Sequence, residues 1–178
     1  MTNPDAPIHY RQDPAELVDV FIGQHRQMLL GYLDGLTESE ARTHLVASKT
    51  TLLGLLKHAV FVERVWFGEA ATGASRAELG IPQSPDESFD LAPGDTIASV
   101  SRAYRQAVAR SRQIRQGLAD DAVLSGNRRG PLSLAWIQLH LLRELAQHCG
   151  HAEILREQLL GARTESCRSL VKAARPTP

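Results

Sequence analysis

The chain has 178 residues, 43% of them hydrophobic and 22% charged, with a formal net charge of zero at pH 7. That make-up predicts one soluble globular domain over residues 1–178, with enough apolar content to bury its own core. It argues against the broad basic surface that nucleic acid or anionic lipid would favour, and no stretch reaches the roughly 18 unbroken apolar residues of a membrane span.

The first residues, MTNPDAPIHYRQDP, contain no apolar run, so no signal peptide is expected. Cys149 and Cys167 form neither a disulfide framework nor a CxxC pair, which fits a reducing compartment. The cytoplasm is the expected location. Asp13-Pro14 then supplies an N-cap and a proline at the first helical position, predicting a helix through AELVDVFIGQHRQMLLGYLDGL to about residue 36. Its apolar stripe reads as Leu17, Val20, Phe21, Met28, Leu29 and Tyr32. Thr37 and Glu40 have capping-box spacing and predict a short helical turn.

After Ser48, TTLLGLLKHAVFVERVWFGEA predicts a second long helix, in which His58 shares a stripe with Leu55, Val62 and Val65. From Gly73 to Gly94 the text becomes GASRAELGIPQSPDESFDLAPG, a crossover loop longer than bundles ordinarily use and of a kind that is often functional. Asp95 reads as the cap of a third helix, TIASVSRAYRQAVARSRQIRQGL, with Ile97, Val100, Tyr104, Val108 and Ile114 inside. Arg102, Arg105, Arg110, Arg112 and Arg115 fall mainly on its solvated face. The loop DDAVLSGNRRGP leads to a fourth helix over about 133–160, closed by Gly161, and TESCRSLVKAARPTP after it is expected to fray. No segment carries convincing strand alternation, and no internal repeat is visible. Four amphipathic helices with one long connection predict an all-α four-helix bundle.

The fourth helix holds an anomaly. At about 100° per residue, His148, His151 and His140 fall within about 40° of Glu144, in the sector that also holds Ile137 and Leu155. Ionisable groups on a core face are costly unless something pairs with them. A single interior histidine is ordinarily satisfied by a carbonyl or carboxylate; four ionisable groups in one sector ask for more. Side chains at i and i+4 lie about 6 Å apart and can share one divalent ion, with a further ligand from a facing helix. His58 is the candidate, giving a metal site of His58, Glu144 and His148 with positions left for water or substrate. Two imidazoles and a carboxylate suit zinc, and also ferrous iron, nickel or manganese. His151 and His140 are left as outer groups, proton shuttles or replacement ligands.

The segments TTLLGLLKHAVFVERVWFG and LSLAWIQLHLLRELAQHCGHAEILREQLLG resemble the DinB/YfiT-like superfamily of metal-binding four-helix bundles. Within it they are most similar to the actinobacterial branch that includes mycothiol-dependent maleylpyruvate isomerase. The resemblance covers about residues 14–161 and is strongest in LxxHxxxVERxWF and ExxxHxGHAxxLRE. It implies a divalent metal, usually zinc, bound at positions that fall on His58, Glu144 and His148; many relatives carry histidine where this chain has Glu144. It also implies a low-molecular-weight thiol, mycothiol or bacillithiol, as nucleophile or cofactor. A metal-bound thiol loses its proton near neutral pH, and His151 is then a candidate proton shuttle. The expected function is a mycothiol-dependent transferase acting on a small electrophile. Since the sequence ends soon after the bundle, the isomerisation itself is not expected. A homodimer is a further expectation, as relatives often form one.

Two rival functions fit the same residues: a non-catalytic, metal-stabilised, stress-related binding protein, and a metal-dependent hydrolase using activated water. Trp66 is read as packing in the bundle before lining a pocket, and Arg143 and Arg156 as exposed helix ion pairs before substrate contacts. Arg128-Arg129-Gly130 reads as a solvated loop that could attract a carboxylate or phosphate. Cys149 lies about 140° from Glu144 on the helical wheel and should point away from the site.

Overall fold

The computed structural model describes residues 13–173, with side chains from 165 onward left out. Helix α1 spans Pro14–Gly31, the short α2 Glu38–Ala41 and α3 Leu52–Glu63. The chain continues from α3 through a π-helical turn, Arg64–Glu69, into α4, Ala70–Thr72. A 3-10 turn at Glu87–Phe89 interrupts the crossover loop, after which come α5, Ile97–Gln116, and α6, Leu134–Ala173. Between α5 and α6, β1 (Val123–Leu124) and β2 (Leu132–Ser133) pair antiparallel, a minimal hairpin that the sequence pattern did not predict. The architecture is the expected all-α four-helix bundle: α1 packs on α6, and α3 packs on both α5 and α6. Among the described residues no helix is long and apolar enough to cross a membrane.

Helix α3 is the axis of the molecule. From Leu52 to Glu63 only Lys57 escapes burial, as expected of a helix apolar nearly all round. Thr51 starts it, accepting from the Gly54 N–H at 3.0 Å, rather than Ser48. At α5, too, the cap lies one residue on from Asp95. Thr96 and Ser99 cap reciprocally, while the Asp95 carboxylate accepts from Lys57 Nζ at 2.7 Å and from the Ala92 N–H, tying the loop end to α3.

The buried face of α1 differs from the predicted stripe. Phe21 and Met28 are 37% and 44% exposed, and the inward positions are Ile22, Arg26 and Leu29, with Leu33 just beyond the helix. The arginine hides this pattern. Arg26 Nε and Nη2 donate to the two carboxylate oxygens of Glu63 at 2.7 and 2.8 Å, and both residues are buried. Close by, the buried Tyr104 hydroxyl has no hydrogen-bond partner among the described residues, and burial raises its pKa. An unsatisfied buried donor costs about 1–3 kcal/mol, so Tyr104→Phe should hold or raise stability in urea melts. A loss above about 1 kcal/mol would mean that the hydroxyl is satisfied.

Gly161 does not end α6. It lacks the left-handed backbone of a helix-closing glycine, and the helix runs on to Ala173. Beyond it Arg163 pairs with Glu40 and donates to the Gly35 carbonyl, anchoring the extension on the α2 corner. The pairing, followed by the Thr37 backbone N–H, pulls the Glu40 pKa down to about 2. With a folded pKa below the unfolded one, Glu40 stabilises the protein above about pH 4 and loses that contribution as pH falls toward 2. Arg163→Ala should move the Glu40 titration upward when followed by carbonyl NMR; an unmoved midpoint would rule out the pairing in solution.

Candidate metal centre and its cavity

Because α3 lies against α6, His58 meets the polar stripe of α6. One atom each from His58, Glu144 and His148 lies within 4.8 Å of the others. Glu144 Oε2 is 3.5 Å from His148 Nε2 and 3.9 Å from His58 Nε2, so the three predicted residues do converge. Those separations exceed the 2.7–2.9 Å of a good charge-assisted hydrogen bond. They approach the roughly 3.3 Å between ligands of a small tetrahedral ion.

The proton positions can be deduced. The Ser88 hydroxyl donates its one hydrogen to the Pro85 carbonyl, so its oxygen must accept from His58 Nδ1–H at 2.6 Å. Neutral His58 is thereby the Nδ1–H tautomer, and its Nε2 lone pair faces the Glu144 carboxylate. Two acceptors are turned toward one another, an arrangement that a cation relieves. His148 Nδ1 is buried without a partner among the described residues, a second sign of an unmet polar requirement. The donor set therefore fits a divalent ion.

The other oxygen of Glu144 faces a separate pair of groups. Arg143 donates to His140 Nδ1 at 3.0 Å, which leaves neutral His140 with Nε2–H directed toward Glu144 Oε1 at 3.7 Å. Arg143 Nη2 lies 3.8 Å from the same oxygen. His148 first, then His58, keep the Glu144 carboxyl well below its usual range despite burial. Burial is the main cause lowering both His58 and His140. Neutral imidazoles around an ionised carboxylate are the protonation state in which such residues ligate.

The crossover loop supplies what the helices lack. Besides Ser88 it brings Phe89, whose ring stacks on His58 at 4.2 Å and 11°. Only the unusual length of this loop hinted at its role. His151, by contrast, is exposed, with its ring 5.8 Å from that of His148 and outside the three-residue cluster. Cys149 is buried, its thiol against the His25 carbonyl and pushed up to about 11 by burial, so it points away as the wheel predicts.

A cavity of about 770 Å³ opens beside the cluster, within the range of small-molecule sites. Trp66, from the π-helical turn, is both buried and part of its lining. Such turns recur at functional sites. Trp136 stacks parallel on His140 at 4.8 Å, and the two tryptophans meet edge to face at 5.4 Å.

Fold and site together define a four-helix bundle with a two-histidine, one-carboxylate candidate metal centre at the edge of a ligand-sized cavity. The sequence model of the mycothiol-S-transferase family matches residues 17–161, and the chain belongs to that family, within the DinB/YfiT-like superfamily. No curated protein matches it.

Proposed function

We propose that this protein is a mycothiol-dependent S-transferase, joining the thiol to a small electrophile at a divalent metal held by His58, Glu144 and His148. The observation that carries the reading is the Ser88 contact, which turns the His58 Nε2 lone pair onto Glu144. Family membership supports the choice of thiol. When bound, a divalent cation lowers the pKa of a thiol until the nucleophilic thiolate predominates near neutral pH. Zinc suits two imidazoles and one carboxylate with an open position; ferrous iron, nickel and manganese accept the same donors. Ser88 orients His58, while His140 and Arg143 face the second oxygen of Glu144. His151, solvent-exposed beside His148, is assigned to carry the thiol proton to water. The cytoplasm, which keeps thiols reduced, is the proposed compartment.

The test is turnover of 1-chloro-2,4-dinitrobenzene by zinc-loaded protein with and without mycothiol. Thiol-dependent and zinc-dependent product formation is expected, with His151→Ala slowing it by about a hundredfold and imidazole buffer restoring it. A water adduct forming equally well without thiol would favour activated-water hydrolysis. No turnover, together with a large drop in melting temperature on chelation, would leave a metal-stabilised binding protein.

A further inference from the structure

The cavity lining mixes two kinds of side chain. Phe61, Val65, Trp66 and Trp136 are apolar or aromatic. Arg76, Arg128, Arg129 and Arg143 line it as well. Two carboxylates answer these four guanidinium groups. Glu144 belongs to the candidate metal centre, and buried Glu69 lies 3.2 Å from Arg76 Nε and 3.8 Å from Arg128 Nε. Arg129 has no carboxylate within ion-pair distance among the described residues. Its guanidinium instead stands 5.6 Å from the centre of the Trp66 ring, which limits its wandering. A concave site with excess fixed positive charge favours an anionic ligand, and guanidinium matches a carboxylate in shape as well as charge.

The loop carrying Arg128 and Arg129 is held in place. The Gly126 N–H donates to the Ala70 carbonyl at 3.0 Å, and a Cβ at Gly126 would overlap the Glu69 carbonyl and the Gly73 amide. Arg128 N–H donates to the Glu69 carboxylate at 3.3 Å. Asn127 is buried in the cavity wall, and its Oδ1 accepts from Arg129 N–H at 3.0 Å. Only the oxygen can accept, so Nδ2 remains a donor available to a ligand.

Resting on the S-transferase reading, we propose that the electrophile is an aromatic carboxylate. Its ring lies along Trp66 and Trp136, and its carboxylate accepts from Arg129 and Asn127 Nδ2. With a chloroarene, the thiolate sulfur bonds to the ring carbon that bears chlorine. The carbon–chlorine bond breaks with its electron pair, chloride departs and the thiol proton passes to solvent, so no oxidant or reductant is consumed.

The test uses 4-chloro-3-nitrobenzoate and its neutral methyl ester. Both tryptophans of the chain line the cavity, so intrinsic fluorescence, corrected against free tryptophan, reads binding without turnover. The acid should bind the zinc-loaded protein at least about tenfold more tightly than the ester, the order expected of one charge-assisted contact open to water. Arg129→Gln should erase that preference, and Arg129→Lys should keep part of it. With mycothiol, Arg129→Gln should raise KM for the acid by more than it raises KM for the ester. Equal binding of acid and ester, or an acid preference that survives Arg129→Gln, would overturn the proposal; in the second case the carboxylate sits on the metal instead. An Arg129-dependent preference without any turnover would sink the S-transferase reading and spare this one. Equal turnover of both compounds by wild type and Arg129→Gln would do the reverse.

Discussion

His58→Ala should release the bound divalent ion and cut thiol-dependent turnover by more than about a hundredfold, the upper end of what changes around a metal's ligands cost. The reason lies in the division of labour. Glu144 and His148 come from one helix and can hold an ion only from one side, whereas His58 closes the site from α3. Helical circular dichroism should persist, because the lost imidazole removes only a modest buried volume, worth about 1–3 kcal/mol. Glu144→Gln, nearly identical in shape, should lose metal affinity with less change in packing. Ser88→Ala separates ligation from orientation: His58 remains, but its tautomer is no longer imposed, and affinity should fall about 10–100-fold. Elemental analysis after dialysis, followed by metal titration, measures all three. Stoichiometric zinc retained by His58→Ala would remove the metal centre from consideration.

Glu63→Ala should be the most destabilising single change outside that centre, costing about 3–5 kcal/mol. The carboxylate is fully enclosed, and its loss leaves the Arg26 guanidinium charged in the core with neither of its two hydrogen bonds to Glu63. For a chain of this length that corresponds to a melting temperature lower by roughly 10 °C. The double variant Arg26→Met/Glu63→Leu should recover most of the loss, because replacing a buried ion pair by apolar groups removes the desolvation cost as well as the attraction. Urea melts of wild type and the two variants close the comparison. A single variant within 1 kcal/mol of wild type would show that water reaches Arg26 in solution.

The same ion pair explains one misreading of the sequence. Arg26 is missing from the predicted stripe because a charge is ordinarily excluded from a core. Only its partner, 37 positions away on another helix, makes the inward position tolerable. Phe21 and Met28, apolar but outward, completed the error. Gly161 failed as a stop signal for a related reason: glycine allows a left-handed backbone without requiring it, and Arg163 finds its anchor on α2 and the preceding turn. Thr51 and Thr96 displaced the predicted caps by a few residues, a local competition among neighbouring hydroxyl and carboxylate side chains that spacing alone does not decide.

By itself the sequence determined the bundle and the polar stripe of α6, since helical periodicity and the i, i+4 spacing of Glu144 and His148 depend only on backbone geometry. It also singled out His58, because an imidazole among leucines and valines demands a partner. The tertiary structure alone decided the orientation of His58 by Ser88, the stacking of Phe89 and the docking of Arg129 over Trp66. These contacts join residues 30 or more positions apart. Their chemistry depends on where loops land on helices, and that is set by packing of the whole core rather than by any local pattern.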